Sequence, residues 1–416
     1  MKILWFSNCD LSITCASTGS WLYAMSGALV RNGVEICNVT EGKVKQLSRI
    51  DSNGIVQYIV PFSKLKKGQP AQSIIKLLQN IEEYEKPDLI HIWGIENYWG
   101  ILTARGFFRT PLILEIQGIK GSCARVFYAN LSFFDCIKCT RLKEVISFKR
   151  SIMYEKSQFA RWAYYEREML LKHNYISTQS EWTRAQIAPF IDRNASILCS
   201  RIAIRGEYFT GQWVGMESRC ILTISSGPIP YKGIHDIIKA LPTIIKKHPE
   251  AKLKIIGNFG HNAPVWRRSG YTKFIQGMIR NYGLDDRVIF TGSLNAQEIV
   301  SEMEKAGVMV ISSYVESYCL AMAEAMAVGL PCVATYAGAL PELGEEGKNA
   351  LFYCPGDYEV LSSKICTIFD DKTIATILSH NSKEKAVARN NEETVVEHQF
   401  ELYNYVLKEQ KNKENI

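Results

Sequence analysis

The apolar positions of this chain fall into two series of short, near-continuous runs, each run followed by a loop and a stretch with helical spacing. In the first half the runs lie at 2–6, 34–39, 55–60, 88–93, 112–116, 175–178 and 197–202, with helical periodicity over 20–31, 71–84 and 151–172. Runs that stay apolar on both faces predict strands of a parallel sheet covered by helices on each side. Over 206–218, GEYFTGQWVGMES, three glycines interrupt a segment without periodicity, which marks a domain boundary. The alternation then restarts, with strands at 220–225, 252–256, 288–291, 308–312 and 332–335 and helices at 234–247, 271–282, 296–306 and 320–328. The predicted architecture is α/β, with two successive doubly wound Rossmann-like domains at 1–205 and 206–390 facing a central cleft. A final helix over 391–416 is expected to pack back toward the first domain. Ligands then belong at the carboxyl ends of the strands.

Composition narrows the class. Of 416 residues, 47% are hydrophobic and 22% charged, which excludes a disordered, collagen-like or coiled-coil chain. No apolar run approaches the ~20 residues of a membrane helix, and MKILWFSNCD reads as a strand rather than a leader, so a cytoplasmic setting is expected. The twelve cysteines then read as thiols; Cys136 and Cys139 form a C-x2-C pair with no second pair at zinc spacing, and no metal is expected there.

The net charge of +7 is uneven: 120–172 holds eleven Lys/Arg against five Asp/Glu, a local +6 interleaved with aromatics. Nucleic acid, an anionic membrane surface or a plain solvated face could each explain it. With no nucleic-acid-binding motif alongside, the expectation is a basic insertion of the first domain that meets the inner face of the cell membrane.

Chemistry concentrates in 314–331, YVESYCLAMAEAMAVGLP. A strand ends near Ser312, Glu316 sits in the loop, and a helix rich in Ala, Met and Leu starts near Cys319 and stops at Gly329 and Pro331. Its first turn, about Tyr318 to Ala321, offers unpaired N–H groups and the positive end of the dipole, a site suited to a diphosphate. Glu324 lies one turn further in. Two carboxylates bracketing an anion site fit a ligand with phosphates at its centre and hydroxyls at both ends. Upstream, Lys232 precedes Gly233 and a helix start, placing a point charge by a second helix N-terminus. No D-x-D occurs, which agrees with charge neutralisation by Lys232 rather than by a divalent ion.

E-x7-E followed by AMAVGLPCVAT and AGALPEL, through Gly338 and Glu342, resembles the signature of the retaining glycosyltransferases of family 4, the group 1 enzymes with the GT-B fold. SSGPIPYKGIHDIIKALP is similar to that family's donor-phosphate loop, with Gly227 where many relatives carry Arg. More loosely, TGSWLYAMSGALVRNG resembles its glycine-rich first turn, with Gly19 present and Ser20 in place of a second glycine. PDLIHIWG resembles a strand end at His91, PLILEIQGIKG puts Gln117 where many relatives have His, and Ser180, Glu181 and Trp182 match the last N-terminal segment.

The resemblance implies transfer of a sugar from a UDP- or GDP-sugar to a hydroxyl of a glycan or lipid-linked saccharide, with retention, in cell-surface polysaccharide assembly. It also implies roles for Lys232 on the diphosphate, Glu316 on sugar hydroxyls and Glu324 on the ribose. Gly19, Gly227, Ser317, Tyr318, Cys319 and Leu320 would line the donor site, and Gln117 would position the acceptor. Gln117 cannot exchange protons near neutrality, so the departing phosphate is left as proton acceptor. A hydrolysing nucleotide-sugar 2-epimerase and a non-catalytic nucleotide-sugar-binding partner are the alternatives. No cofactor is expected.

Overall fold

The computed structural model describes residues 1–12, 20–141, 144 and 151–414. Its chain divides into two compact units, the first made of 1–121, 161–204 and 389–416 and the second of 122–160 and 205–388.

The first unit is built on strands β1 (Lys2–Phe6), β2 (Glu35–Gly42), β3 (Ser48–Ser52), β4 (Ile55–Pro61), β5 (Leu89–Trp93), β6 (Leu112–Ile116), β7 (Tyr175–Thr178) and β8 (Ser196–Cys199). They form one sheet in the order β3-β4-β2-β1-β5-β6-β7-β8, parallel except for β3 against β4. β3, SRIDS, is a polar edge strand with no apolar run to announce it. It is turned back by Asn53 and Gly54, both at positive φ (53° and 77°), the backbone that a two-residue hairpin needs.

Apolar side chains cover both faces of this sheet. One cluster gathers Phe6, Ile92, Trp99 and Met169, the other Trp5, Met25, Leu29 and Trp93. The helix Glu392–Glu414 closes the second face with Val395, Leu402, Tyr403 and Val406, and it packs on the helix Ser20–Arg31. Its Tyr403 hydroxyl accepts from Trp5 Nε1 (3.3 Å) and pairs with His91 Nδ1 (3.0 Å), all three side chains being buried.

The second unit carries β9 (Cys220–Ile224), β10 (Lys252–Ile256), β11 (Val288–Gly292), β12 (Val308–Ile311), β13 (Cys332–Thr335) and β14 (Leu351–Tyr353). Their order, β11-β10-β9-β12-β13-β14, is all parallel and reverses direction between β9 and β12. That is the doubly wound order with its switch point at β9/β12; the first sheet switches likewise between β1 and β5.

One part of the expected division is corrected. Residues 122–160, most of the basic stretch assigned to the first domain, are packed into the second unit. Local side chains explain it: Phe127 stacks edge-on against Tyr231 (5.8 Å between centroids), and His235 Nε2 pairs with the Ala129 carbonyl at 2.9 Å. The helix Phe133–Lys138 packs on the helix Gly270–Asn281. These are contacts between residues a hundred positions apart, which no local pattern encodes.

Tyr403→Phe should destabilise the protein by about 1–3 kcal/mol, because it removes the hydroxyl that the buried Trp5 and His91 rings share. Urea unfolding measures this, and an unchanged midpoint would show that His91 and Trp5 do not depend on it.

Candidate functional site

The reversal at the switch point puts the loop after β9 beside the loop after β12, and backbone contacts lock them together. Residues Pro230–Lys232 make one tight 3-10 turn, and Gly233 at φ 70° then opens the helix Ile234–Lys247. A Cβ at Gly233 would lie 1.9 Å from the Ser312 carbonyl oxygen, so only glycine permits this approach. The Ser312 hydroxyl donates to the Lys232 carbonyl (2.8 Å), and the Tyr314 N–H donates to the Tyr231 carbonyl (2.8 Å).

Held in this way, Lys232 Nζ donates to Glu316 Oε1 at 2.6 Å. Burial works against the lysine's charge, but the Glu316 carboxylate outweighs it and raises the Lys232 pKa above its ordinary value. Glu316 is fixed from the other side by Gly338 at φ 59°, where a Cβ would come within 2.0 Å of the Glu316 carbonyl oxygen. That carbonyl accepts the Ala339 N–H at 2.8 Å. The glycine of AGALPEL is thus a packing requirement of the Glu316 loop.

Three residues on, Cys319 has φ 90° and caps the helix Leu320–Val328. A residue with a Cβ held at that angle stores backbone strain of about 1–3 kcal/mol. The helix is buried from Met322 to Val328 and stops at Gly329. Its first-turn N–H groups, Lys232 and Glu316 therefore form one rigid set: a cation, a carboxylate and a helix N-terminus, suited to an anionic ligand that also carries hydroxyls. Ser317 and Leu320 are partly exposed there, while Tyr318 and Cys319 are buried.

Glu324 is buried on the same helix. Burial pushes its pKa up to about 8, against the opposing pull of Arg205 and a hydrogen bond from Tyr208. Arg205 lies 5.7 Å from the centroid of the Tyr208 ring, and its buried Nε has no hydrogen-bond partner among the described residues. The helix Gly206–Thr210 that carries Tyr208 packs on Leu320–Val328. Tyr208 falls in the segment 206–218 whose lack of periodicity marked a domain boundary, and Arg205 stands immediately before it.

The other expected site residues sit on several loops. Gly227 is in the β9 loop, its carbonyl held by the Ser225 hydroxyl at 2.7 Å, and a Cβ there would meet nothing within 4 Å. Gln117 follows β6, in the other unit from Lys232 and Glu316. Ser180 is an N-cap, accepting the Thr183 N–H at 3.1 Å. Gly19 lies outside the described residues. Cys136 and Cys139 are buried free thiols, and among the described residues no cluster of three or more His, Cys, Asp or Glu could hold a metal ion.

Comparison with known proteins agrees with this architecture. Residues 217–387 match the family of glycosyl transferases group 1. The MMP alpha-(1->4)-mannosyltransferase of Mycolicibacterium hassiacum is 28% identical over 168 residues, covering 40% of this chain and 38% of that one. Across three curated relatives the chain matches 28% to 54% of their length. Sucrose-phosphate synthase from Thermosynechococcus elongatus superposes with a TM-score of 0.74 at 17% identity, over 97% of this chain and 98% of that one. Anabaena HepE in complex with UDP and glucose gives 0.66 at 18% identity, over 96% and 98%. The fold is GT-B, two doubly wound α/β units. The segment that matches glycosyl transferases group 1, residues 217–387, lies within the second of those units.

Glu324 generates a pH prediction. Its folded pKa lies above the unfolded value, so in wild type its contribution to stability falls as pH rises from about 4.5 to about 8. Glu324→Gln should flatten that dependence, leaving the variant at least as stable as wild type at pH 8.5. Thermal melts across pH 5–9 with the same slope in both proteins would show that Glu324 is solvated.

Proposed function

We propose that this chain is a metal-independent glycosyltransferase. It moves a sugar from a UDP- or GDP-sugar to a hydroxyl of a glycan or lipid-linked saccharide, with retention, in cell-surface polysaccharide synthesis. The observation that carries this reading is the Lys232–Glu316 pair at the switch point of a group 1 domain, beside the Cys319 helix N-terminus. HepE structures solved with UDP and with UDP-glucose support the donor class.

In the proposed reaction Lys232 and the helix N-terminus take up charge on the diphosphate as the sugar–phosphate bond breaks. The diphosphate displaces the lysine from Glu316, which is then available to the hydroxyls of the transferred sugar. Glu324 accepts from ribose hydroxyls, Gln117 positions the acceptor, and the departing phosphate takes the acceptor proton. Gly227, Ser317, Tyr318 and Leu320 line the donor site. No step requires a cofactor.

The basic stretch gives the enzyme a place of work at the inner face of the membrane. Phe133, Phe134 and Ile137 are exposed on one short helix, next to exposed Lys138. Aromatic rings flanked by lysines seat in an anionic headgroup layer. No described helix is long and apolar enough to cross a membrane.

Two measurements test these readings. In a thermal-shift panel of UDP- and GDP-sugars, one donor should stabilise the protein equally with and without excess EDTA. Lys232→Ala should abolish that shift and cut transfer by about 100-fold or more. Stabilisation that needs manganese or magnesium would contradict the mechanism.

The full chain should also co-sediment with phosphatidylserine vesicles, bind phosphatidylcholine vesicles poorly and release as salt rises. Phe134→Ser with Lys138→Glu should weaken binding while donor affinity holds. Equal sedimentation of variant and wild type would remove the membrane from the account.

A further inference from the structure

The first sheet has a switch point of its own, and its strand ends carry a carboxyl that the donor chemistry does not use. Glu96 stands in the loop after β5, between two glycines that leave room for it. A Cβ at Gly94 (φ 99°) would lie 2.2 Å from Glu96 Oε2, and one at Gly118 would lie 2.5 Å from Oε1. Glu96 Oε2 is buried and has no hydrogen-bond partner among the described residues.

The surroundings are polar and firmly held. Lys120 Nζ donates to the Glu96 carbonyl at 2.7 Å and lies 4.7 Å from the centroid of the Trp162 ring, whose Nε1 donates to the Ile95 carbonyl at 2.7 Å. Asn97 Nδ2 and Trp99 Nε1 both donate to Asn8 Oδ1, at 2.8 and 3.2 Å. Gln117 stands at the end of β6, its Oε1 3.4 Å from the same Gly94 Cβ position that meets Glu96. The carboxyl ends of β1, β5 and β6 thus gather Asn8, Glu96, Asn97 and Gln117, a set of amide and carboxyl groups matched to the hydroxyls of a sugar. A buried carboxyl with an unpaired oxygen is an energetic liability in a purely structural role.

We propose that Glu96 is a specificity-determining residue of the acceptor subsite, its Oε2 accepting a hydrogen bond from a hydroxyl of the saccharide acceptor. This rests on the glycosyl-transfer reading and deepens it. The carboxyl's own acidity fits the assignment: burial pushes its pKa up to about 7, with Glu166 adding to the rise, while backbone hydrogen bonds at Glu96 and Ile95 and the Lys120 charge oppose it. The charged groups facing it are Lys120 from the helix Lys120–Arg125 and Glu166 from the helix Ile152–Lys172, the latter held by the Lys120 and Gly121 N–H groups at 2.6 and 2.9 Å. The stronger acceptor, the carboxylate, fills in as pH rises through neutrality.

The test is binding of the full-length protein to a printed array of immobilised mono- and oligosaccharides at pH 6 and pH 8. Wild type should bind a restricted set of glycans, more strongly at pH 8. Glu96→Gln, which keeps shape but cannot ionise, should weaken that binding by about tenfold or more and lose its pH dependence. Gly118→Ala should weaken it too, by pushing the carboxyl aside while leaving it in place. Lys232→Ala should bind glycans as wild type does, so loss of the donor reading and loss of this one are told apart. No glycan bound by wild type, or Glu96→Gln binding the same glycans equally at both pH values, would overturn the assignment.

Discussion

The ion pair between Lys232 and Glu316 is the contact on which the second unit's functional face depends. Each charge is partly buried, and each would be costly there alone. They are compatible because two loops more than eighty residues apart are fastened by backbone: Gly233 against Ser312, Tyr231 to Tyr314, Gly338 against Glu316. The parallel sheet makes that fastening possible, since its order reverses at β9/β12 and leaves two strand ends side by side with no helix between them. A lysine already paired with a carboxylate is charged and oriented before a ligand arrives. On the proposed reading, a diphosphate exchanges one anion for another at a prepared cation, so little reorganisation accompanies binding.

The two sheets divide the chemistry according to what their strand ends carry. At β9/β12 the groups are a lysine, a strained helix cap and first-turn N–H groups, a surface for negative charge. At β1/β5/β6 they are asparagines, a glutamine and a carboxyl, a surface for neutral hydroxyls. On the proposed reading, the β9/β12 face takes the diphosphate of the donor and the β1/β5/β6 face takes hydroxyls of the acceptor.

Much of this was legible in the sequence, and for physical reasons. Strands buried on both faces leave continuous apolar runs, so the parallel sheets and the fold class could be read directly; the Leu320–Val328 helix, all Ala, Met, Leu and Val around one Glu, was equally plain. The polar edge strand β3 carried no such run, though Asn53-Gly54 marked its turn. The placement of 122–160 depends on Phe127 meeting Tyr231 and on His235 meeting Ala129, pairings that exist only once the chain is folded. Glu96 escaped notice because a single acid in a loop has no spacing to betray it. Only the glycines folded around its carboxyl, and the oxygen left without a partner, distinguish it from a solvated surface acid.

The central claim is that the β9/β12 switch point recognises a nucleotide through its diphosphate. Calorimetric titration of UDP and GDP beside uridine and guanosine tests it most directly. The account predicts that one of the two diphosphates binds at least about tenfold more tightly than its own nucleoside, and that this advantage shrinks as ionic strength rises. A nucleoside that binds as tightly as its diphosphate, at any salt concentration, would contradict it.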